Sequence, residues 1–413
     1  MELTPQEQAL LDGDHGEAAR WAIEFQLELG DFFGTEDFVP VRSAHVAADA
    51  EALRDDGIEF MSHLSSLGAR CAIPTTTNPR SVDFERAAEV GQRPIWTERE
   101  RGIVDAFDRM GARRCDSCIN YQTVDNPVYG EHLAWGDTGT VIYANSVAGA
   151  RSNFEAGPAA VAASITGRVP RYGFHLPEHR RATVRVEVKD RPSQRSDWGA
   201  LGCLIGRRVN DYWKVPALVG DGLRPSADDL KQLGAAMASY GSVGMFHLVG
   251  VTPEARTEAE AFGGIEPVER FVVNPGDIAG VYGGFQADVE KPDLVVFSAP
   301  QLSLAELAEL ASLFDGNTVS PVTRVYVTTS AMVKAEAERL GYARSIEKSG
   351  ARLLTGVCFY LMAPHELAET FGYRTLVTDS AKLANIIAGY GFDPVFRPTS
   401  VCVEAAVTGR IPW

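Results

Sequence analysis

The sequence predicts an α/β protein built on parallel sheets, with ligands held beyond the carboxyl ends of the strands. Three observations carry this prediction. Short apolar runs alternate with helical patterns through the last third of the chain, as they do where crossover helices join parallel strands. Each of those runs ends in a polar tail, the place where open parallel sheets bind ligands. The chain has 413 residues, 45% of them hydrophobic, which is more than one core holds, since single cores stop growing near ~250–300 residues. Two to three lobes are therefore expected, at about 1–190, 191–290 and 291–413.

The elements follow in order. Residues 5–30 place Leu10, Leu11, Trp21, Ile23, Phe25 and Leu27 at helical spacing, predicting one or two amphipathic helices. A further helix runs over about 48–67 and ends before Gly68. Residues 141–144 read as a strand, followed by a turn crowded with Asn145, Ser146, Arg151, Ser152 and Asn153. Residues 182–190 alternate apolar and polar side chains, the pattern of a half-buried strand. Residues 293–297 lead to Ser298, Ala299 and Pro300, then to a helix from Ser303 in which Glu306 completes a capping box. Residues 324–328 lead to Thr329 and Ser330, and to a helix stopped by Gly341. Residues 352–354 run into Thr355, Gly356, Val357 and Cys358, and residues 375–377 into Thr378, Asp379, Ser380 and Lys382.

Composition excludes several classes. Thirty-nine basic against 55 acidic residues give a net charge of −16, and no Lys/Arg run is present to neutralise phosphates, so nucleic acid is not an expected partner. The amino terminus lacks the basic start and unbroken apolar run of a secretory signal, and no stretch approaches ~18 consecutive apolar residues. A cytoplasmic protein without membrane spans is expected. The six cysteines are too sparse for a disulfide scaffold. Phosphate-cradling loops, a G-x-G-x-x-G turn between strand and helix and a G-x-S-x-G elbow are all missing, which argues against a nucleotide cofactor and a simple serine hydrolase.

Other constellations point to small-acid chemistry. In the 145–153 turn, Arg151 can grip both oxygens of a carboxylate while Asn145, Ser146 and Asn153 bond the remaining lone pairs. Cys115 and Cys118 form the single C-x-x-C, with no second pair for a zinc ribbon. Two readings of the cysteines stay open: small buried apolar groups, or Cys118, Cys358 and Cys402 brought together at strand ends to hold iron or a cluster. His247, flanked by Gly244 and Gly250, is either a satisfied core histidine or a group facing a ligand. His175 and His179 are read as structural, because Pro177 prevents a helix from presenting both to one metal.

Several blocks also resemble the signatures of the aconitase X family: SAHVAAD near 43, RCAIPTTTNPRSVD (70–83), SCINYQ (117–122), GEHLAWGDTGTVIYANSVAGARSN (130–153), FHLVGVTPEA (246–255) and TDSAKLA (378–384). They stand in family order and span nearly the whole chain. The resemblance implies an aconitase-like multi-lobed fold and a hydro-lyase that dehydrates a small hydroxy or amino carboxylate, with cis-3-hydroxy-L-proline as the default and mevalonate phosphate as another known substrate. It implies iron or an iron-sulfur cluster on Cys118, Cys358 and Cys402. Asn145, Ser146, Arg151 and Asn153 would grip substrate, and Thr76, Thr77, Asn78, His247, Ser380 and Lys382 would line the same cleft, with His247, Ser380 and Lys382 as catalytic groups. It also implies a smaller swivelling part carrying a serine base. Since the sequence stops at Trp413, a fused copy of that part is expected to be absent and a separate small subunit to supply it.

The chain departs from the family pattern at telling positions. Ser298, Ala299, Pro300 and Gln301 stand where Gly-Cys-Pro-His is usual, so one ligand cysteine is replaced by Ala299. Gly356, Val357 and Cys358 replace Asp-Thr-Cys; Asp137 and Thr138 replace Glu-Ser; Asn120 replaces the proline of Cys-x-Pro-Tyr. Three outcomes follow for test: a dehydratase with iron on fewer ligands, a metal-free homologue repurposed for another elimination or cyclisation in specialised metabolism, and a non-catalytic ligand-binding subunit.

Overall fold

A computed structural model describes residues 1–286 and 290–412. Three parallel sheets form three lobes. The first orders Thr75–Thr77, Ala44–Val46 and Ala134–Trp135 side by side. The second orders His247–Leu248, Pro216–Val219, Val184–Val188 and Glu269–Val273. The third orders Arg352–Thr355, Arg324–Thr329, Leu294–Leu302, Thr375–Thr378 and Asp393–Phe396. A short antiparallel pair, Phe38–Pro40 with Arg168–Pro170, adds the mixed element. The boundary near 190 is corrected: Val184–Val188 is an inner strand of the second sheet, paired on both edges, so the first lobe ends before it.

The helices form where the sequence places them. Pro5–Asp12 starts at Thr4, which shares a capping box with Glu7, and Glu17–Phe32 continues the amphipathic pattern. Ala50–Ser66 starts at Asp49, whose carboxylate accepts from Glu51 N and Ala52 N. Ser303 and Glu306 form the expected box for Leu304–Phe314, and Gly341 takes the left-handed conformation just past Ala331–Arg339.

One expected element changes type. Residues 141–144, read as a strand, lie in the helix Thr138–Tyr143 and the π-turn Ala144–Ala148. Asp137 starts that helix by accepting from Thr140 N at 3.1 Å. The sheet position beside Ala134–Trp135 is already filled by residues 151–154, which bridge His132 with Arg151 and Trp135 with Phe154. Val141 and Ile142 bury themselves without a strand partner, Ile142 against the helix Ala227–Gly241 at Gly234. Tertiary packing thus overrides their β-branched preference.

In the third sheet the chain starts at the central strand Leu294–Leu302, builds outward to Arg352–Thr355, then returns to the other side through Thr375–Thr378. The reversal lies between Leu294–Leu302 and Thr375–Thr378, and such a switch point opens a crevice at the strand ends. The register of Leu294–Leu302 slips between Phe297 and Leu302, so Ser298, Ala299, Pro300 and Gln301 bulge over that crevice. The first lobe meets it edge on. Arg80 N donates to Gly356 O at 2.8 Å, Thr355 N donates to Asp83 at 2.8 Å, and Arg80 bridges Val357 in parallel register. Gly356 has φ 68, and a Cβ there would stand 2.8 Å from an Arg80 guanidinium nitrogen, which accounts for glycine where the family pattern has a larger residue.

Candidate active site

The carboxyl ends of the first and third sheets bring together Asp137, Lys382, Cys118 and Cys358. Lys382 lies in the helix Ala381–Ile387, whose N-cap Ser380 accepts from Leu383 N and donates to the Ala299 carbonyl. That bond fixes the helix start under the bulge. The Lys382 ammonium stands 3.7 Å from Asp137, with both side chains under 8% exposed. Burial works against this ammonium, yet Asp137, Cys118 and Cys358 outweigh it and raise its pKa above the ordinary lysine value.

The two cysteines form a hydrogen-bonded pair. Cys118 is pushed well up, by its bond to Cys358 and then by burial. Burial opposes ionisation of Cys358, but the Cys118 thiol, the Lys382 charge and the Ser298 hydroxyl together bring it below the usual thiol value. Of the two thiols, Cys358 is therefore the one that ionises more readily. Gln301 holds this geometry: its backbone N–H donates to the Cys118 sulfur at 3.2 Å, and its side-chain amide donates to the carbonyls of Asp116, Val357 and Thr329 at 3.1, 3.1 and 3.3 Å. One residue thus ties together the 116–118 loop and two strand ends of the third sheet.

Around this core, His45 is fully buried with Thr76 Oγ1 2.8 Å from Nδ1 and Asn78 Oδ1 3.2 Å from Nε2. The Asn78 oxygen accepts, so Nε2 carries the hydrogen, and burial lowers the imidazole pKa. Thr77 exchanges hydrogen bonds with Asp116, and Asp116 pairs with Arg80 at 3.1 Å. Asn120 is buried with neither side-chain polar atom partnered among the described residues.

The structure brings Thr76, Thr77, Asn78, Ser380, Lys382, Cys118 and Cys358 to these strand ends. It places the other expected residues elsewhere. Arg151 pairs with His132, at the amino end of the strand that leads to Asp137, and reaches the His175 carbonyl at 3.4 Å. Asn145 spends its amide on Ser152 and Gly244, Ser146 accepts from Phe246 N, and Asn153 bonds Tyr172 O and Phe174 N, so these three side chains staple loops. His247 donates from Nε2 to Arg180 O at 2.7 Å, apart from the lysine. Cys402 packs with Val295 and Phe297, whereas Cys358 packs with Leu294 and Val296; strand alternation puts the two on opposite faces of the third sheet.

The donor set does not fit a three-thiolate iron cluster. Ala299 occupies the third position, and among the described residues no group of three His, Cys, Asp or Glu side chains is arranged to hold a metal ion. The Lys382 ammonium beside both sulfurs adds a fixed positive charge where a metal cation would sit.

Buried acid, ammonium and thiols gathered at the switch point of a parallel sheet are the kind of titratable cluster found at the active sites of α/β enzymes. Sequence comparison identifies the chain's lineage: models of the aconitase X first, second and third domains match residues 1–178, 182–283 and 292–408, and the chain belongs to the aconitase X family. It is 38% identical to the phosphomevalonate dehydratase large subunit of Methanothermobacter thermautotrophicus, over 94% of this chain and 95% of that one. It is 37% identical to the cis-3-hydroxy-L-proline dehydratase of Pseudomonas aeruginosa, over 98% of this chain and 70% of that one. The crystal structure of Thermococcus kodakaraensis aconitase X in its holo-form superposes with a TM-score of 0.88 at 31% identity, covering 98% of this chain and all of that one. The chain is accordingly a lyase of the hydro-lyase type. No helix of the described residues is long and apolar enough to cross a membrane.

Sequence reasoning assigned no site role to His45, Asp137, Arg80 or Gln301. The signal for Asp137 and Gln301 was present, since both stand where the chain departs from its family.

Proposed function

We propose that this chain is the large subunit of a cytoplasmic dehydratase that eliminates water from a small hydroxy carboxylate, cis-3-hydroxy-L-proline first, and that a separate small subunit completes the site. The observation that carries the reading is the buried Lys382 ammonium, 3.7 Å from Asp137 and beside the cysteine pair at the switch point. In such an elimination a base takes the proton α to the carboxylate, the β-carbon–oxygen bond breaks as the double bond forms, and the departing hydroxide takes a proton to leave as water. Lys382 is the cation and proton source for the departing oxygen, Asp137 keeps it charged, and the small subunit supplies the base.

Charge favours the amino acid over the phosphorylated acid. The two cations of the cluster already face carboxylates, Lys382 with Asp137 and Arg80 with Asp116. A charge-balanced site suits a zwitterion better than a substrate carrying both carboxylate and phosphate. The test is turnover by the chain co-expressed with a small subunit, on cis-3-hydroxy-L-proline and on phosphomevalonate in parallel. Elimination from the hydroxyproline, giving the enamine and then its cyclic imine, at a kcat/KM at least about 10-fold higher is the expected result. Turnover of phosphomevalonate alone overturns the substrate choice, and binding without turnover of either overturns the dehydratase reading.

A further inference from the structure

A cavity of about 280 Å³ lies where the first and second lobes meet, and none of Asp137, Lys382, Cys118 and Cys358 lines it. Its walls include Arg180, Arg181, His247, Glu254, Arg256 and Tyr129. Arg180 forms the built part of the wall: it is 2% exposed, forks onto Glu254 and spends its other N–H groups on Asn145 and the Phe174 carbonyl. Arg256 is exposed and 3.8 Å from Glu260. Arg181 has no ion-pair or hydrogen-bond partner among the described residues. Three guanidinium groups against Glu254 and Glu260 leave one net positive charge on the cavity.

His247 adds an unusual demand. Its Nε2 stands 2.7 Å from the Arg180 carbonyl, which can only accept, so Nε2 carries the hydrogen. Burial lowers the imidazole pKa, against the Arg180 carbonyl and Glu254, and so favours the neutral ring. Nδ1 is then a lone-pair acceptor, buried and without a partner among the described residues. Buried polar atoms are nearly always satisfied, so this acceptor calls for a donor from outside the chain. The volume exceeds a single ordered water's share of about 30 Å³ several times over.

We propose that the cavity binds a small oxyanion bearing its own hydrogen-bond donor, with Arg181 facing the charge and His247 Nδ1 accepting from the ligand. Two ligand sources share this chemistry, a protonated phosphate and a hydroxy acid. A site built around an acceptor rejects the matched ion that lacks the proton, because two lone pairs then face each other.

The experiment compares two pairs of ions on the full chain, phosphate with sulfate and lactate with acetate, by calorimetry and by 15N-histidine NMR. The His247 resonance is assigned by its loss in His247→Gln. Within at least one pair, the donor-bearing ion binds about 10-fold tighter, shifts the His247 Nδ1 signal and is weakened about fivefold by Arg181→Gln. Discrimination confined to the first pair assigns the site to phosphate, and confined to the second to a hydroxy acid. Equal binding within both pairs, an unmoved His247 signal, or binding untouched by Arg181→Gln overturns the proposal. Arg181 is exposed, so its variant keeps the test valid even where His247→Gln does not fold.

Discussion

Replacing Lys231 by methionine tests how the second and third lobes are held together. The Lys231 side chain is 0% exposed, and its ammonium meets Glu306, the Asp228 carboxylate at 3.2 Å and the Gln301 carbonyl at 3.3 Å. Methionine fills the volume but removes the lysine charge from Glu306 and Asp228, 4% and 12% exposed. One-sided loss of a buried ion pair costs about 3–5 kcal/mol. Arg195 remains 3.3 Å from Glu306, and Ser303 N still donates to the same carboxylate, so the lower end, about 3 kcal/mol, is expected. A three-lobed chain need not unfold in one step, so the measurement is native-state hydrogen exchange in the helices Ala227–Gly241 and Leu304–Phe314. Three kcal/mol corresponds to exchange on the order of 100-fold faster. The double variant Lys231→Met/Glu306→Gln removes one of the two carboxylate charges that lost the lysine and is expected to recover about 2 kcal/mol of coupling. Acceleration of less than about fivefold, or strictly additive effects, would refute the reasoning.

Three further predictions follow from the site and its surroundings. Lys382→Met lowers kcat about 100-fold or more, whereas Arg151→Met changes kcat and KM by less than about threefold, as steady-state kinetics with the proposed small subunit will show. Burial pushes the Glu100 carboxyl from 4.5 to about 8. The folded chain then holds a proton that the unfolded chain has lost between those values, so this group's stabilisation is full below about pH 4.5 and disappears as pH rises toward 8, at up to about 1.4 kcal/mol per pH unit. Glu100→Gln removes that slope, and its advantage over the unaltered chain in denaturant titrations grows from pH 5 to pH 8. Anaerobically purified protein contains well below one iron per chain, and chelation leaves turnover intact; stoichiometric iron lost in Cys358→Ala is the contrary result.

The third lobe was legible because four of its five strands are short apolar runs closed by polar tails; the edge strand Asp393–Phe396, which begins Asp-Pro, shows no such run and was not read. Its capping box at Ser303 and Glu306 and its stop at Gly341 are local signals that survive folding. The first lobe was harder to read. Its sheet strands are two or three residues long, too short to show a period, and its β-branched run at 141–144 was claimed by a helix because residues 151–154 already filled the sheet edge. Site residues divided in the same way. Ser380 and Lys382 follow a readable strand and were found. Arg151, Asn145 and Asn153 have the chemistry of a carboxylate grip, but their partners are loop carbonyls and amides far away in sequence. Gln301 has no chemistry that marks a site residue, and its role appears only once the 116–118 loop and two strand ends converge on its amide.

The joint at Arg80 has a consequence for traffic through the enzyme. Its main chain is laced into the third sheet at Gly356 and Val357, and Asp83 secures the same strand end from one turn further on. Spreading these two faces of the cleft would break the Arg80–Gly356 main-chain hydrogen bond and the Thr355–Asp83 bond together. Admission of substrate and escape of product are then left to the side of the cleft that Arg80 and Asp83 do not tie.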